Sequence, residues 1–195
     1  MTAQVTDLKS QGVKAIAITS SPTATASAAA VDASTGLNVP ILGNNPDFVP
    51  GVLKTSAGPA LEKLLYLPTS VQAPNSTDPS TQKFVADYKA KYPDATLDGG
   101  VTTGFGDAKV FTDVLKKACD NKDLTRDGIN VAFRSLSNVD TGVVVPLDYS
   151  KPGIAPSKKV FIFRPDASQV GGLKQVTDGP YEGPSAAGYT PPSQK

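Results

Sequence analysis

The sequence contains no histidine and a single cysteine, Cys119. Without histidine this chain cannot build a Ser-His-Asp triad, a Cys-His pair or an imidazole metal site. With one cysteine it can build neither a thiolate zinc cluster nor an intrachain disulfide. Glutamate is almost missing: of 18 acidic residues only Glu62 and Glu182 are glutamates. Excess charge of either sign is missing too, with 19 basic against 18 acidic residues and a net charge of +1. That balance argues against an electrostatic nucleic-acid binder. No run approaches the length of a membrane span. The opening residues, Met1 to Lys9, lack the apolar core of a signal peptide.

What is present fits a globular chain. The 195 residues are 39% hydrophobic and 19% charged, enough for one domain or two small ones with a sizeable core. Glycine and proline number 17 each, which favours turns and caps over long exposed helices. A surface rich in Asp, Ser and Thr and poor in Glu reads as that of a secreted or cell-surface protein. Residues 3–11 read as an amphipathic helix that starts with no leader before it. The expectation is therefore a fragment whose export signal lies upstream, rather than a cytoplasmic protein.

Hydrophobic spacing sets the order of elements. The helix at 3–11 ends at Gly12, and Val13–Ile18 reads as a strand covered on both faces. Thr19-Ser20-Ser21-Pro22 caps and opens an Ala-rich helix closed by Gly36. Val39–Gly43 is the next strand, residues 59–62 a short helix or turn, and Leu64–Pro68 a third strand. This β-α-β-α-β order implies a parallel sheet with right-handed crossovers. A Pro/Ser/Asn-rich crossing segment follows from Pro68 to Pro79. Helices are expected at 80–91, 103–118 and 124–136, the last capped by Thr125, and strands at Val143–Val145 and Lys159–Phe163. From Asp178 the chain is a Pro/Gly-rich tail, expected to be weakly ordered.

Two turns carry the candidate site. Ser20, Ser21 and Thr23 lie beyond the carboxyl end of the first strand, where open parallel sheets bind ligands and a helix N-terminus offers free N–H groups. The same residues also read as a purely local cap. Asn44, Asn45, Asp47 and Phe48 occupy the same edge after the second strand, with amide donors and acceptors and an apolar wall, or as an ordinary Asn-Pro turn. Gly104-Phe105-Gly106 fails as a dinucleotide fingerprint because residue 109 is lysine; it reads as a helix start, with Phe105 facing either core or cleft. Asp94 with Asp98, and Asp120 with Asp123, read as solvated turns rather than acid/base pairs. Asn75-Ser76-Thr77 matches a glycosylation sequon.

The run Gln11–Ile18, the Ala-rich helix and Gly36–Gly43 together resemble the second lobe of a type I periplasmic binding protein, most closely the branched-chain (Leu/Ile/Val) amino-acid binding family of ABC importers. Phe84–Pro93, Gly104–Val110 (with Phe105 where the family usually has Tyr) and Leu124–Gly142 resemble its later segments. The likeness spans residues 3–177. It implies an α/β fold in which 1–70 form the second-lobe core, 71–154 the crossing and the C-terminal part of the first lobe, 155–177 the return strands and 178–195 a tail.

The resemblance further implies a missing N-terminal half and an exported protein, periplasmic or anchored at the cell surface. Cys119 then pairs with a cysteine in that half, or is a lone buried thiol. It also implies a non-catalytic solute-binding subunit that closes on a small polar metabolite and is read by an ABC permease, with no cofactor. Ser20, Ser21, Thr23, Asn44, Asn45, Asp47, Phe48 and Phe105 are its expected ligand contacts. Amino-acid binders place an acid against the ligand ammonium in the second of these turns; here Asn45 stands nearer that place than Asp47, which puts an α-amino-acid ligand in question. The competing expectations are an interaction module paired with a companion chain that supplies the missing half, favoured by any exposed apolar surface on 103–136, and a Rossmann-type enzyme, disfavoured by the missing histidine, fingerprint and P-loop.

Overall fold

The computed structural model describes residues 1–186, 188 and 189. Helix α1 (Thr2–Ser10) leads into strand β1 (Ile16–Ala17). Its end is a Schellman motif: Gly12 (φ 67°) donates to the Lys9 carbonyl and Val13 to the Leu8 carbonyl. Helix α2 (Pro22–Thr35) ends the same way at Gly36 (φ 74°), with Leu37 donating to Asp32. The left-handed conformation at both positions is open to glycine without strain, so these two residues fix where each helix stops.

Strands β2 (Ile41–Leu42) and β3 (Leu65–Thr69) follow, separated by a helix, α3 (Gly58–Leu64). β1, β2 and β3 are parallel and in register, Ile16 beside Ile41 and Ile41 beside Leu65. Strand β4 (Phe161–Pro165) joins β3 antiparallel, and β5 (Leu173–Gln175) joins β4 antiparallel. The sheet is therefore mixed, in the order β1-β2-β3-β4-β5. Arg164 locks β4 to α3: its guanidinium donates to the carbonyls of Glu62 (2.7 Å) and Lys63 (2.8 Å) at the end of that helix and lies over the Tyr66 ring. A cation there also meets the negative end of the helix dipole.

The main core lies between this sheet, α2 and α3. Ile41, Leu61, Leu65 and Phe163 are fully enclosed, each contributing about 2 kcal/mol of apolar burial. The inner face of α2 is made of small residues, Thr25, Ala28, Ala29 and Asp32, so the helix lies close to its neighbours. The expectation of a sheet covered on both faces fails: Ala15 and Ala17 are exposed and Leu42 is 46% exposed. The helices of residues 1–70 cover the other face.

Three helices make up the middle of the chain: α4 (Pro79–Lys91), α5 (Gly99–Asp120) and α6 (Arg126–Arg134). α5 starts four residues before the expected position because Asp98, not the glycine-containing stretch, caps it by accepting from Val101 N–H (3.1 Å). Gly106 lies inside the helix, where it allows close approach to Val144. α5 and α6 form a small core of their own from Val114, Ala118 and Ala132. Val143–Val145 is not a strand; Val144 makes only an isolated bridge with Val71. Thr125 caps α6 as expected, accepting from Gly128 N–H (3.1 Å). Cys119 is exposed, so a buried thiol is excluded. In the expected tail, Tyr181 bridges to Val160; residues 187 and 190–195 lie outside the described residues.

Candidate functional site

Parallel pairing of β1 and β2 brings the two polar turns to the same edge of the sheet. They are joined by one carboxylate. Asp47 Oδ1 accepts from the Ser20 N–H (2.6 Å) and from the Thr25 hydroxyl (2.9 Å), and its Oδ2 accepts from the Asn44 N–H (2.7 Å). Asp47 is 0% exposed. Its charge sits at the N-terminus of α2, where the helix dipole stabilises it. Asp47 is thus an internal clamp between the turns and offers no surface to a ligand. A further bond crosses above it, from Asn44 Nδ2 to Thr19 Oγ1 (2.9 Å).

The other candidates separate by placement. Ser21 caps α2, its hydroxyl accepting from Ala24 N–H (3.3 Å), and Thr23 is exposed in the first turn. Phe48 is buried in the main core, with its ring near Gly172, and forms no outer wall. Asn45 is half-buried and reaches across to α5, donating from Nδ2 to Thr103 Oγ1 (3.0 Å). Gly99 is packed so tightly against the same amide that a Cβ there would stand 2.8 Å from Asn45 Oδ1. Phe105 is on another face of α5, stacked on Phe84 with ring centroids 4.3 Å apart. There it helps line a cavity of about 340 Å³ with Lys83, Asp87 and Thr141. So the structure brings Ser20, Ser21, Thr23, Asn44 and Asn45 together at one rim and sets Phe105 apart.

Thr25 and Thr103 belong to this arrangement and were not singled out in the sequence; Thr19, which also belongs, was read there only as part of the helix-opening turn. Thr25 had a readable signal, four residues after the Ser21 cap on the inner side of α2. Thr103 had none, since its partner Asn45 is 58 residues away. A larger cleft, about 780 Å³, opens near the crossing segment and is lined by Gln72, Asp78, Asp140 and Gln175 among others. Among the described residues no group of three or more His, Cys, Asp or Glu is placed to hold a metal ion, and no helix is long and apolar enough to cross a membrane.

A model of the family described as "Periplasmic binding protein" matches residues 1–169. This chain belongs to the periplasmic binding protein family. Among solved members of the fold, a fatty acid ABC transporter substrate-binding protein from Thermomonospora curvata is 35% identical with a TM-score of 0.89, over 96% of this chain and 48% of its own. A leucine binding protein from Thermotoga maritima is 20% identical with a TM-score of 0.67, over 92% and 48%. A branched-chain amino acid ABC transporter protein from Thermus thermophilus, solved with bound valine, is 16% identical with a TM-score of 0.72, over 96% and 50%. This periplasmic binding protein family chain therefore spans about half the length of its solved relatives. Among curated proteins none matches the sequence. The family consists of non-catalytic, extracytoplasmic substrate-binding proteins of ABC transporters.

Proposed function

We propose that this chain is the C-terminal portion of an extracytoplasmic solute-binding component of an ABC importer. It holds a small polar metabolite, such as an amino acid or a related amide or carboxylate, between two lobes that close on it, and a permease reads the closed state. No covalent step is required of it. The observation that carries this reading is the pair of polar turns fixed at one sheet edge by Asp47. Residues 1–70 form the second-lobe core, 71–154 the crossing and part of the first lobe, 155–177 the return strands and 178–195 a tail. Two features support that division: α5 and α6 carry their own small core, and β4 returns to the sheet beside β3. Ser20, Ser21, Thr23, Asn44 and Asn45 are the proposed ligand-facing groups.

The test is residue-resolved. Amide NMR spectra of the chain titrated with aliphatic amino acids, fatty acids and amides should move the signals of residues 19–23 and 44–45 first. Shifts confined to other surfaces, or none with solute well above the weak dissociation constant expected of a single lobe edge, would sink the proposal.

A second reading is favoured by a separate observation. On the α5–α6 region Phe111 is 57%, Leu124 59% and Val131 64% exposed. Apolar side chains so displayed fit a surface that receives a companion segment or chain. Light scattering from the purified chain, alone and with the N-terminal half of a relative, distinguishes a lone monomer from a pairing module.

A further inference from the structure

We infer that the sheet edge at the two turns reads an uncharged hydrogen-bonding group of the solute, an amide or a hydroxyl, and makes no charge pairing with it. This rests on the proposed solute-binding role and narrows it. Charge pairing with an ammonium group needs a carboxylate with free lone pairs, and charge pairing with a carboxylate needs a cation. The two turns supply neither. Residues 19–25 and 43–48 contain no lysine, arginine or glutamate, and Asp47 is their only acid.

Asp47 cannot serve an ammonium as it stands. It is fully enclosed, both its oxygens already accept, and the three donors it holds are what keep the turns in place. Its charge is also countered locally, by those donors and by the positive end of α2. The neighbouring carboxylate on the α5 side, Asp98, is half-buried and caps α5 through Oδ1, which accepts from Val101; it stands outside the two turns, one residue before the Gly99 that touches Asn45. The groups left at the rim are the hydroxyls of Ser20 and Thr23, the Asn44 amide, whose Nδ2 already bonds Thr19 and whose Oδ1 is enclosed, and the Asn45 amide, whose Nδ2 bonds Thr103; all of them are neutral.

The experiment compares matched solutes by amide NMR titration of the chain, read at residues 19–23 and 44–45. L-Leucinamide and 4-methylpentanamide differ only in the ammonium group; 4-methylpentanoate replaces the amide by a carboxylate. The expected result is that 4-methylpentanamide binds within about twofold of L-leucinamide and more tightly than 4-methylpentanoate. The dissociation constant of L-leucinamide, which carries the ammonium charge, should change less than twofold between low and high salt, since a paired charge would be screened. A tenfold advantage for L-leucinamide, or affinity that falls steeply with salt, overturns the inference and leaves the solute-binding role standing. If none of the three solutes moves these signals while a charged solute of another class does, the inference falls alone. If no solute of any class moves them, the role falls with it.

Discussion

Aspartate followed two residues later by serine or threonine recurs at 123–125, 148–150 and 166–168, and each pair closes the same small turn. In each, Oδ1 accepts from the backbone N–H and the hydroxyl of the second residue, at 2.9 and 2.6 Å for Asp123 with Thr125. The hydroxyl bond is the main reason the carboxyls of Asp123, Asp148 and Asp166 lie below the usual carboxylate range, with the backbone bond second. A carboxyl whose folded pKa is depressed adds stability above its unfolded pKa and loses it as pH falls through the folded value. The chain's melting temperature should therefore drop between pH 6 and pH 3. Asparagine forms the same turn without titrating, so the triple variant D123N/D148N/D166N should show a smaller drop over that range. An equal drop, measured by circular dichroism, refutes the assignment. Asp47 acts differently because it is buried. Asp47→Ala leaves the N–H groups of Ser20 and Asn44 and the Thr25 hydroxyl without their acceptor, at a cost of about 3 kcal/mol. The urea midpoint reads that loss, and an unchanged midpoint would remove the clamp from the account.

At the scale of elements, capping chemistry was the part of the fold most open to sequence reading. Gly12, Gly36, Ser21 and Thr125 end or begin the helices they were expected to, because each acts through bonds within a few residues. The three parallel strands follow from the same local logic. What the sequence hid depends on distance. The Asn45–Thr103 bond, the antiparallel return of β4 and the shortness of β1 are set by partners tens of residues away. Phe48 and Asp47 fold inward rather than facing the rim, and a turn sequence does not tell which side chains do so. Close packing of elements gives the next prediction. Gly128 opens α6 against the preceding turn so tightly that a Cβ would stand 2.4 Å from the Asp123 carbonyl oxygen. Alanine gains about 1 kcal/mol over glycine in a helix, but overpacking against backbone costs about 2–3 kcal/mol. Gly128→Ala should thus destabilise the chain by about 1–2 kcal/mol net, measured by chemical denaturation. A gain in stability would mean that the turn yields freely.

Taken as a whole molecule, the chain carries three open surfaces. Ala15, Ala17 and Leu42 lie open on one face of the sheet edge, and Phe111, Leu124 and Val131 lie open on α5 and α6. The proposed ligand rim is a third, polar and one-sided, with a single helix, α5, reaching it through Thr103. Relatives of this family are about twice as long. A solute enclosed between two lobes gains most of its affinity from burial and from polar contacts on both sides. One rim alone supplies a few exposed hydrogen bonds, each in competition with water and worth about 1 kcal/mol or less. Those gains barely offset the translational and rotational freedom lost on binding. The isolated chain should therefore hold its solute with a dissociation constant near or above about 1 mM, corresponding to about −4 kcal/mol. Joining it to the N-terminal half of a close relative should tighten binding by orders of magnitude and cover the apolar residues in the same step. Calorimetry on both forms decides this. Micromolar binding by the 195-residue chain alone would mean that the rim is complete without a second lobe, and that hinge closure is not how this protein grips its solute.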